Sequence, residues 1–179
     1  MSNTNSAVLE QPAAARTSHQ RENRGGKYLT FALGKEEYGL EILKVREIIG
    51  LMDITAVPRT PQYVKGVINL RGQVITVVDL RAKFSMPAVE KTDQTCIIVV
   101  EISHDGRKLN TGIIVDRVSE VLDIAGEKIE EPPSLGNDES ADFILGMGKI
   151  GENVKILLDI DKVLSGEGVV SAAALGQAN

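Results

Sequence analysis

The stretch KGVINLRGQVITVVDLRAK, residues 65–83, decides the fold of this chain. It holds two apolar runs, Val67 to Leu70 and Val74 to Val78, on either side of the dipeptide Arg71-Gly72. Val and Ile dominate both runs, and β-branched side chains suit a pleated, half-buried strand better than a helix. Two short apolar runs joined by a Gly-containing turn therefore predict a β-hairpin with Arg71 at its tip.

The composition limits the classes of protein to consider. The 179 residues fit one domain with tails or two small subdomains, and 42% hydrophobic residues suffice for a core. Aromatic residues make up only 3%, so the core must be aliphatic. The net charge of −5 and the few aromatic residues argue against binding of nucleic acid. The single cysteine, Cys96, excludes an internal disulfide; we expect it to be a small core or groove-edge residue and not a reactive thiol.

The chain shows no targeting or spanning segment. No apolar run approaches the roughly 20 residues that a membrane-spanning helix needs. The N-terminus lacks the basic and then apolar pattern of a signal peptide. We therefore expect a cytoplasmic protein that does not insert into the membrane.

The ends of the chain differ in composition from its middle. Residues 1–26 are rich in Ser, Asn, Ala, Gln and Gly, and residues 166–179 are rich in Gly and Ala, so both are predicted to be flexible tails. The ordered domain is predicted at residues 27–165, with a divide between two subdomains near 88–95. Most of it follows strand patterns with tight turns.

Short helices are predicted at a few points between the strands. Thr60-Pro61 has the pattern of a helix start, with Thr as N-cap, and this helix would end near Gly66. Ile42, Val45 and Ile49 recur at helix-like spacing and predict one or two further turns.

An internal repeat relates the two halves of the chain. GLEILKVREI at residues 39–48 matches GIIVDRVSEV at 112–121, and VITVVDL at 74–80 matches VKILLDI at 154–160. The blocks occur in the same order in each half, which predicts two related β-units of roughly 70 to 80 residues that pack on a shared core. Asp79 and Asp159 end equivalent strands and are predicted to accept hydrogen bonds from the backbone of the next turn.

No motif in the sequence predicts catalysis, a metal site or a cofactor. Residues 146–151 match G-x-G-x-x-G, but a strand pattern follows where a nucleotide site needs a helix. His19 and His104 have no nucleophile or metal ligand nearby in sequence. Asp159 and Asp161 would lie on opposite faces of a strand and would not converge on a metal.

Two charged residues stand out beside an apolar patch. Glu47 follows an apolar segment and Arg71 lies at the predicted hairpin tip. They are either two solvated charges of little energetic weight or the charged rim of a binding surface formed with Val45, Ile48 and Val121. Spacing alone leaves these two interpretations about even.

Several segments together resemble the CheW family of chemotaxis coupling proteins. These are YGLEILKVREI, TPQYVKGVINLRG, VVDLRAKF, GIIVDRVSEVLDI and ILLDIDKVL, which span nearly the whole predicted domain. The NLRG turn followed by V-V-D-L is typical of the family, and one departure is Thr76, where many relatives have Pro. The resemblance implies a mainly β fold with two packed five-stranded SH3-like β-barrel subdomains and a few short helices.

The resemblance also implies a function. The protein would be a non-enzymatic adaptor between chemoreceptor cytoplasmic tips and the regulatory domain of the histidine kinase CheA, recruited to receptor arrays at the inner face of the membrane. The groove between the barrels would take the receptor's helical hairpin. By motif match, it would be lined or flanked by Val45, Glu47, Arg71, Cys96 and Val121. The kinase-binding residues stay unassigned.

Two alternatives remain open from the sequence. A small β-barrel could bind a metabolite or sugar, which would require several converging polar side chains. A coupling module of the same family could also serve a different chemosensory pathway.

Overall fold

The computed structural model describes residues 24–133 and 142–165. Its elements in chain order are β1 (Gly26–Leu33), β2 (Glu36–Glu41), a 3₁₀ turn (Ile42–Lys44), β3 (Val45–Gly50), β4 (Val64–Leu70), β5 (Gln73–Asp79), α1 (Leu80–Lys83), β6 (Cys96–His104), β7 (Arg107–Val115), β8 (Arg117–Ile124), a second 3₁₀ turn (Gly126–Lys128), β9 (Ile129–Glu130), β10 (Ile144–Ile150), β11 (Asn153–Leu158) and α2 (Ile160–Val163). Most of the two predicted tails, residues 1–23 and 166–179, lies outside the described residues.

The strands form two sheets, one of six strands and one of five. One sheet is ordered β8-β1-β2-β11-β10-β9 and the other β3-β6-β7-β5-β4. The strands β1 and β2 therefore join β8, β10 and β11, whereas β6 and β7 join β3, β4 and β5. The two halves of the chain exchange their first strand pairs. The divide predicted near 88–95 consequently lies between two strands of one sheet, β5 and β6, and does not separate the sheets.

The repeat seen in the sequence marks equivalent positions of the two sheets. Gly39 lies opposite Leu157 in the parallel pairing of β2 with β11, and Gly112 lies opposite Val77 in the parallel pairing of β7 with β5. A Cβ atom on Gly39 would lie 2.8 Å from a methyl of Leu157, and one on Gly112 would lie 2.8 Å from a methyl of Ile97. The glycine recurs because a side chain at either position would overlap the interior of its own sheet.

Three apolar clusters explain the continuous hydrophobic runs. One cluster lies between the two sheets, and each sheet encloses a smaller one of its own. On β6, Ile98 and Val100 face the cluster between the sheets, and Ile97 and Val99 face the interior of the second sheet. Both faces of the central strands are thus buried, and such strands read as unbroken apolar runs. The predicted fold class, mainly β with two packed SH3-like units and a few short helices, is confirmed, but one of the two units predicted to be five-stranded has a sixth strand, the two-residue β9.

An ion pair ties the sheets together where the chain crosses from β7 to β8. Arg81 of α1 donates from Nε and Nη2 to the two carboxylate oxygens of Asp116, at 2.8 and 2.7 Å. The backbone N–H of Gly34, at the end of β1 in the other sheet, donates to the same carboxylate at 2.7 Å. The carboxylate therefore holds groups from both sheets.

The equivalent crossing from β2 to β3 has a similar ion pair with the charges reversed. Here the carboxylate is on the helix, as Asp161 of α2, and the cation is Lys44 in the 3₁₀ turn, with 2.7 Å between Nζ and Oδ2. The N–H of Ser103 donates to Asp161 at 2.9 Å, in the place that Gly34 takes at the other crossing. The two crossings thus share one architecture.

The helix predictions need correction at two points. No helix begins at Thr60-Pro61: the Thr60 hydroxyl donates to the Val57 carbonyl at 2.9 Å, and β4 starts at Val64 after a single turn. The helix-like spacing after Ile42 produces only the 3₁₀ turn, because the edge of β6 recruits the residues from Val45 onward as β3. Tertiary pairing overrides the local pattern in both places.

The predicted caps are confirmed at both equivalent strand ends. Asp79 accepts a hydrogen bond from the N–H of Arg81 at 2.9 Å, and Asp159 accepts one from the N–H of Lys162 at 3.3 Å. Each carboxylate satisfies a backbone donor at the start of a short helix.

Candidate functional site

The hairpin tip has the conformation that a tight two-residue turn requires. Arg71 has a φ of 52° and Gly72 a φ of 86°, so both central residues are left-handed, as in a type I′ turn. The Asn69 side chain accepts a hydrogen bond from the Gly72 N–H at 2.8 Å and closes the turn. The turn projects the Arg71 side chain into solvent, where 70% of it is exposed.

Arg71 and Glu47 form a two-pronged ion pair. One guanidinium nitrogen lies 2.9 Å from Oε1 of Glu47, and the other contacts Oε2. The hydrogen bonds from Arg71 hold the pKa of Glu47 below its usual value, and those to Glu47 raise the pKa of Arg71. A planar fork of this kind fixes geometry as well as charge.

The ion pair joins the two end strands of its sheet. Glu47 is on β3 and Arg71 is at the tip of β4, and these strands are at opposite ends of the order β3-β6-β7-β5-β4. A backbone bridge between Thr55 and Val67 connects the same two ends of the sheet. The pair therefore lies where the sheet curls round on itself, above a depression of about 480 Å³ that reaches the interior residues Ile75 and Val99.

A β-bulge separates Glu47 from the apolar residues predicted beside it. Val45 pairs with Val100, but Glu47 pairs with Val99, so β3 has one extra residue in this interval. Residues two apart in a regular strand share a face. The bulge instead turns Glu47 to the interior face of its sheet and leaves Val45 on the face toward the other sheet.

Ile48 and Val121 are the two exposed apolar residues of equivalent edge strands. Ile48 pairs with Ile98 and is 46% exposed, and Val121 of β8 pairs with Leu29 and is 50% exposed. Both Ile98 and Leu29 belong to the cluster between the sheets, so Ile48 and Val121 extend that apolar surface outward. The internal repeat aligns Ile48 with Val121, so the equivalence of the two positions can be seen in the sequence.

Val45 and Cys96 are less accessible than the charged pair. Both are partly buried and pack against the cluster between the sheets. Burial raises the pKa of the Cys96 thiol, and a backbone hydrogen bond with Val118 opposes this effect only in part. The thiol therefore stays protonated at neutral pH and has a packing role.

Of the five predicted residues, Glu47 and Arg71 contact each other, whereas Val45 and Cys96 pack against the cluster between the sheets and Val121 pairs with Leu29 of that cluster. The structure joins Glu47 to Arg71 directly, and it brings Cys96 against Val118, which the sequence did not single out as a site residue. The internal repeat aligns Val118 with Val45, and this alignment is the sequence feature that could have identified Val118 as a candidate site residue. Leu43, in the first 3₁₀ turn, is a further exposed apolar side chain, with an exposed fraction of 85%. The pattern of apolar residues around Leu43 does not predict that its side chain is exposed.

Two kinds of feature are absent from the described part of the chain, clusters of three or more possible metal ligands and membrane-spanning helices. Within residues 24–133 and 142–165, no group of three or more His, Cys, Asp or Glu side chains is placed to hold a metal ion. No helix in these ranges is long and apolar enough to cross a membrane. Residues 146–151, which match G-x-G-x-x-G, lie at the end of β10 and the start of the turn into β11.

Comparisons with known proteins identify close relatives. The family model described as "CheW-like domain" matches residues 27–168. The chemotaxis protein CheW of Klebsiella aerogenes is 41% identical over 146 residues, covering 82% of this chain and 86% of that protein. The chemotaxis protein CheW of Helicobacter pylori is 32% identical over 166 residues, covering 92% and 98%.

One solved structure and one relative with a different name are also similar. The crystal structure of the scaffolding protein TtCheW from Thermoanaerobacter tengcongensis matches with a TM-score of 0.70 and 35% identity, covering 80% of this chain and 95% of that one. Protein FrzA of Myxococcus xanthus is 29% identical over 141 residues, covering 77% and 84%.

Proposed function

Since this chain belongs to the CheW-like domain family and is a chemotaxis scaffold of that family, we propose that it couples chemoreceptor tips to the histidine kinase CheA. It would act without catalysis, at the cytoplasmic ends of membrane receptors, by holding both partners in one array. The observation that carries the proposal is the Arg71–Glu47 pair at the closure of one sheet, on the family's NLRG turn.

The receptor surface we propose has an apolar and a charged part. A receptor tip is a helical hairpin, and such a helix would lay its apolar face against Ile48 and Val121, with Val45 and Cys96 at the base. Arg71, held by Glu47, would set the register of the helix by directed hydrogen bonds.

The kinase would bind elsewhere through sheet-to-sheet contact with its own homologous regulatory domain. No described residue is assigned to that contact. Binding of receptor and kinase at the same time would make the assembly more stable than either contact alone. Once one partner is bound within an array, the other is held at a high local concentration.

A charge reversal at the hairpin tip tests the receptor site. Arg71→Glu places two carboxylates together and should weaken binding of a purified receptor tip fragment at least roughly tenfold by calorimetry. The double variant Arg71→Glu/Glu47→Arg restores the ion pair and should recover part of the loss. Arg107→Glu, an exposed charge reversal on the same sheet, is the control and should bind as the wild type does.

Wild-type binding by Arg71→Glu would show that the receptor does not use this turn. Retained kinase binding by the same variant is expected and separates loss of one contact from loss of folding.

The alternative function with a supporting observation is the same adaptor role in a different chemosensory pathway. The similarity to Protein FrzA extends the resemblance to a relative that is not named CheW. Competition between kinases of two chemosensory systems for the purified protein decides between them. If the protein prefers a kinase other than the chemotaxis CheA, the proposed adaptor role stands but belongs to the pathway of that kinase.

The small-ligand alternative has less support. The interior of the second sheet is filled by its own side chains, and Val77 and Ile97 there are fully buried. A ligand-binding barrel instead needs an empty interior with converging polar groups.

A further inference from the structure

An aromatic cleft of about 350 Å³ opens between the six-stranded sheet and the end of α1. Its apolar lining consists of Tyr38, Phe84, Phe143, Ile144, Ile156 and Leu158. Tyr38 stacks on Phe84 with 5.9 Å between the ring centroids. The chain has three Phe and three Tyr residues, so half of its aromatic side chains line this cleft. Aromatic side chains are enriched where proteins bind other chains, and none of the residues assigned to the receptor lines this cleft.

The cleft has a counterpart in the other half of the chain, and this counterpart is closed. Tyr38 pairs with Ile156 where β2 runs parallel to β11. Thr111 pairs with Thr76 at the matching point of β7 and β5. Both threonines are completely buried, whereas Tyr38 and Ile156 are only partly buried. One architecture therefore forms an open cleft beside the six-stranded sheet and a filled one beside the five-stranded sheet.

The closed counterpart takes its filling from the chain itself. The helix α2 ends at Val163 and Leu164 follows it, and both side chains are completely buried. In the open half, Lys83 ends α1 and Phe84 follows it, so they stand at the positions of Val163 and Leu164. The open half thus lacks an aliphatic side chain that the closed half receives from its own backbone. The missing filling is of the kind that a polypeptide segment supplies.

Lys83 gives the cleft its charge and keeps it open. An ammonium group cannot be buried among apolar side chains without an anion. Its Nζ lies 4.3 Å from the ring centroid of Tyr63 and 5.7 Å from that of Phe143. Within residues 24–133 and 142–165, no carboxylate lies within ion-pair distance of Lys83. An occupant that brings a carboxylate to Lys83 would therefore form an ion pair beside two aromatic rings.

The side of the cleft at Tyr38 has the opposite charge. Burial raises the pKa of the Tyr38 hydroxyl, and the nearby carboxylate of Glu36 raises it further. An acidic group of an occupant would be repelled by Glu36 and attracted by Lys83. The two charges therefore favour one orientation of an acidic occupant, with its carboxylate at Lys83.

We propose that the aromatic cleft is a second protein-binding site, for a partner segment with two adjacent aliphatic residues and an acidic residue beside them. The aliphatic pair packs against Phe84 and Phe143, and the carboxylate pairs with Lys83. The segment supplies from outside the filling that Val163 and Leu164 supply in the other half. The site does not depend on the receptor assignment, because the two sets of residues do not overlap.

A synthetic peptide and the full-length protein test the proposal by nuclear magnetic resonance. The probe is acetyl-Gly-Glu-Val-Leu-Gly-amide, which copies the Val-Leu pair of the closed counterpart and adds one carboxylate. We expect it to shift the ring signals of Phe84 and Phe143 at concentrations of a few millimolar. A peptide with Lys in place of its Glu should bind roughly fivefold more weakly. One with Gly-Gly in place of Val-Leu should not shift these signals.

Charge reversal in the protein provides the matching test. Lys83→Glu should reverse the preference, so that the Lys peptide binds more tightly than the Glu peptide. Lys128→Glu, an exposed charge reversal in the second 3₁₀ turn, should keep the preference of the wild type. The amide spectrum of each variant shows whether it is folded.

Three results would overturn the proposal. The first is the absence of ring shifts at Phe84 and Phe143 when the Glu peptide is added to the wild type. The second is an equal affinity of the wild type for the Glu and Lys peptides, or an unchanged preference in Lys83→Glu. The third is ring shifts that depend on protein concentration without peptide, which would make the occupant a second copy of this chain.

Discussion

Arg71 occupies a backbone position that favours glycine. Its φ of 52° is left-handed, and in the equivalent turn between β10 and β11 the position is taken by Gly151, with a φ of 60°. A side chain at such a position destabilises the turn relative to glycine. Arg71 therefore carries a side chain at a turn position where glycine would be less strained, which agrees with a binding role for that side chain.

Arg71→Gly should separate folding from binding. Glycine adopts the turn without strain, and the exposed ion pair to Glu47 contributes little to folding. We expect a urea unfolding midpoint equal to or above that of the wild type, together with weaker binding of the receptor tip. A clearly lower midpoint would mean that the ion pair stabilises the fold by more than the backbone strain at Arg71 destabilises it.

The candidate site was predictable at the level of single residues but not in its geometry. The position of Arg71 at a hairpin tip can be predicted from Gly72, the next residue, because turn formation depends on residues adjacent in the chain. The side of the sheet that Glu47 faces depends on the bulge after Val45, and that bulge forms only in the pairing with β6. The sequence alone therefore could not place Glu47 relative to the apolar patch of Val45, Ile48 and Val121.

At the scale of elements, Asp116 links one helix and three strands. It accepts hydrogen bonds from Arg81 of α1 and from the Gly34 N–H, which follows β1, and it lies between β7 and β8. The hydrogen bonds from Arg81, and after them the one from Gly34, hold the pKa of Asp116 below its usual value. Its folded pKa is thus lower than its unfolded one of about 3.9. The resulting stability is complete above that value and is lost as the pH falls through the folded pKa.

Asp116→Asn should therefore destabilise the protein at neutral pH more than in acid. We expect a loss of about 1 to 2 kcal/mol in the free energy of unfolding at pH 7, allowing for solvent screening of a partly exposed pair. Urea unfolding from pH 7 to pH 2 should show a smaller acid dependence for the variant than for the wild type. Parallel curves for the two proteins would contradict the assigned pKa shift. Asp123→Asn, an exposed position on β8, is the matched control.

At the scale of the molecule, the exchange of strand pairs makes each half incomplete. The first half holds β1 and β2 of one sheet and β3, β4 and β5 of the other, so neither sheet can close without the second half. The apolar cluster between the sheets draws residues from both halves as well. A unit of this size is only marginally stable even with a complete core, and each half alone would also leave its apolar strands without partners.

Cutting the chain after Glu90, in the exposed segment between α1 and β6, tests this view. We expect each fragment alone to lack cooperative unfolding by circular dichroism, and the mixture to regain the native spectrum and the receptor binding of the intact protein. Cooperative folding of either fragment as a monomer would show that the halves are separate domains divided near 88–95, as the sequence suggested.

The sequence by itself determined the local features of this protein. The hairpin turn at Arg71-Gly72 and the capping aspartates Asp79 and Asp159 depend on residues close together in the chain, and their chemistry is readable there. Only the tertiary structure decided the exchange of strands, the face of Glu47 and the contacts that exclude a side chain at Gly39 and Gly112. Each of these depends on which distant strand pairs with which, and that choice is made by burial of apolar surface between the two halves.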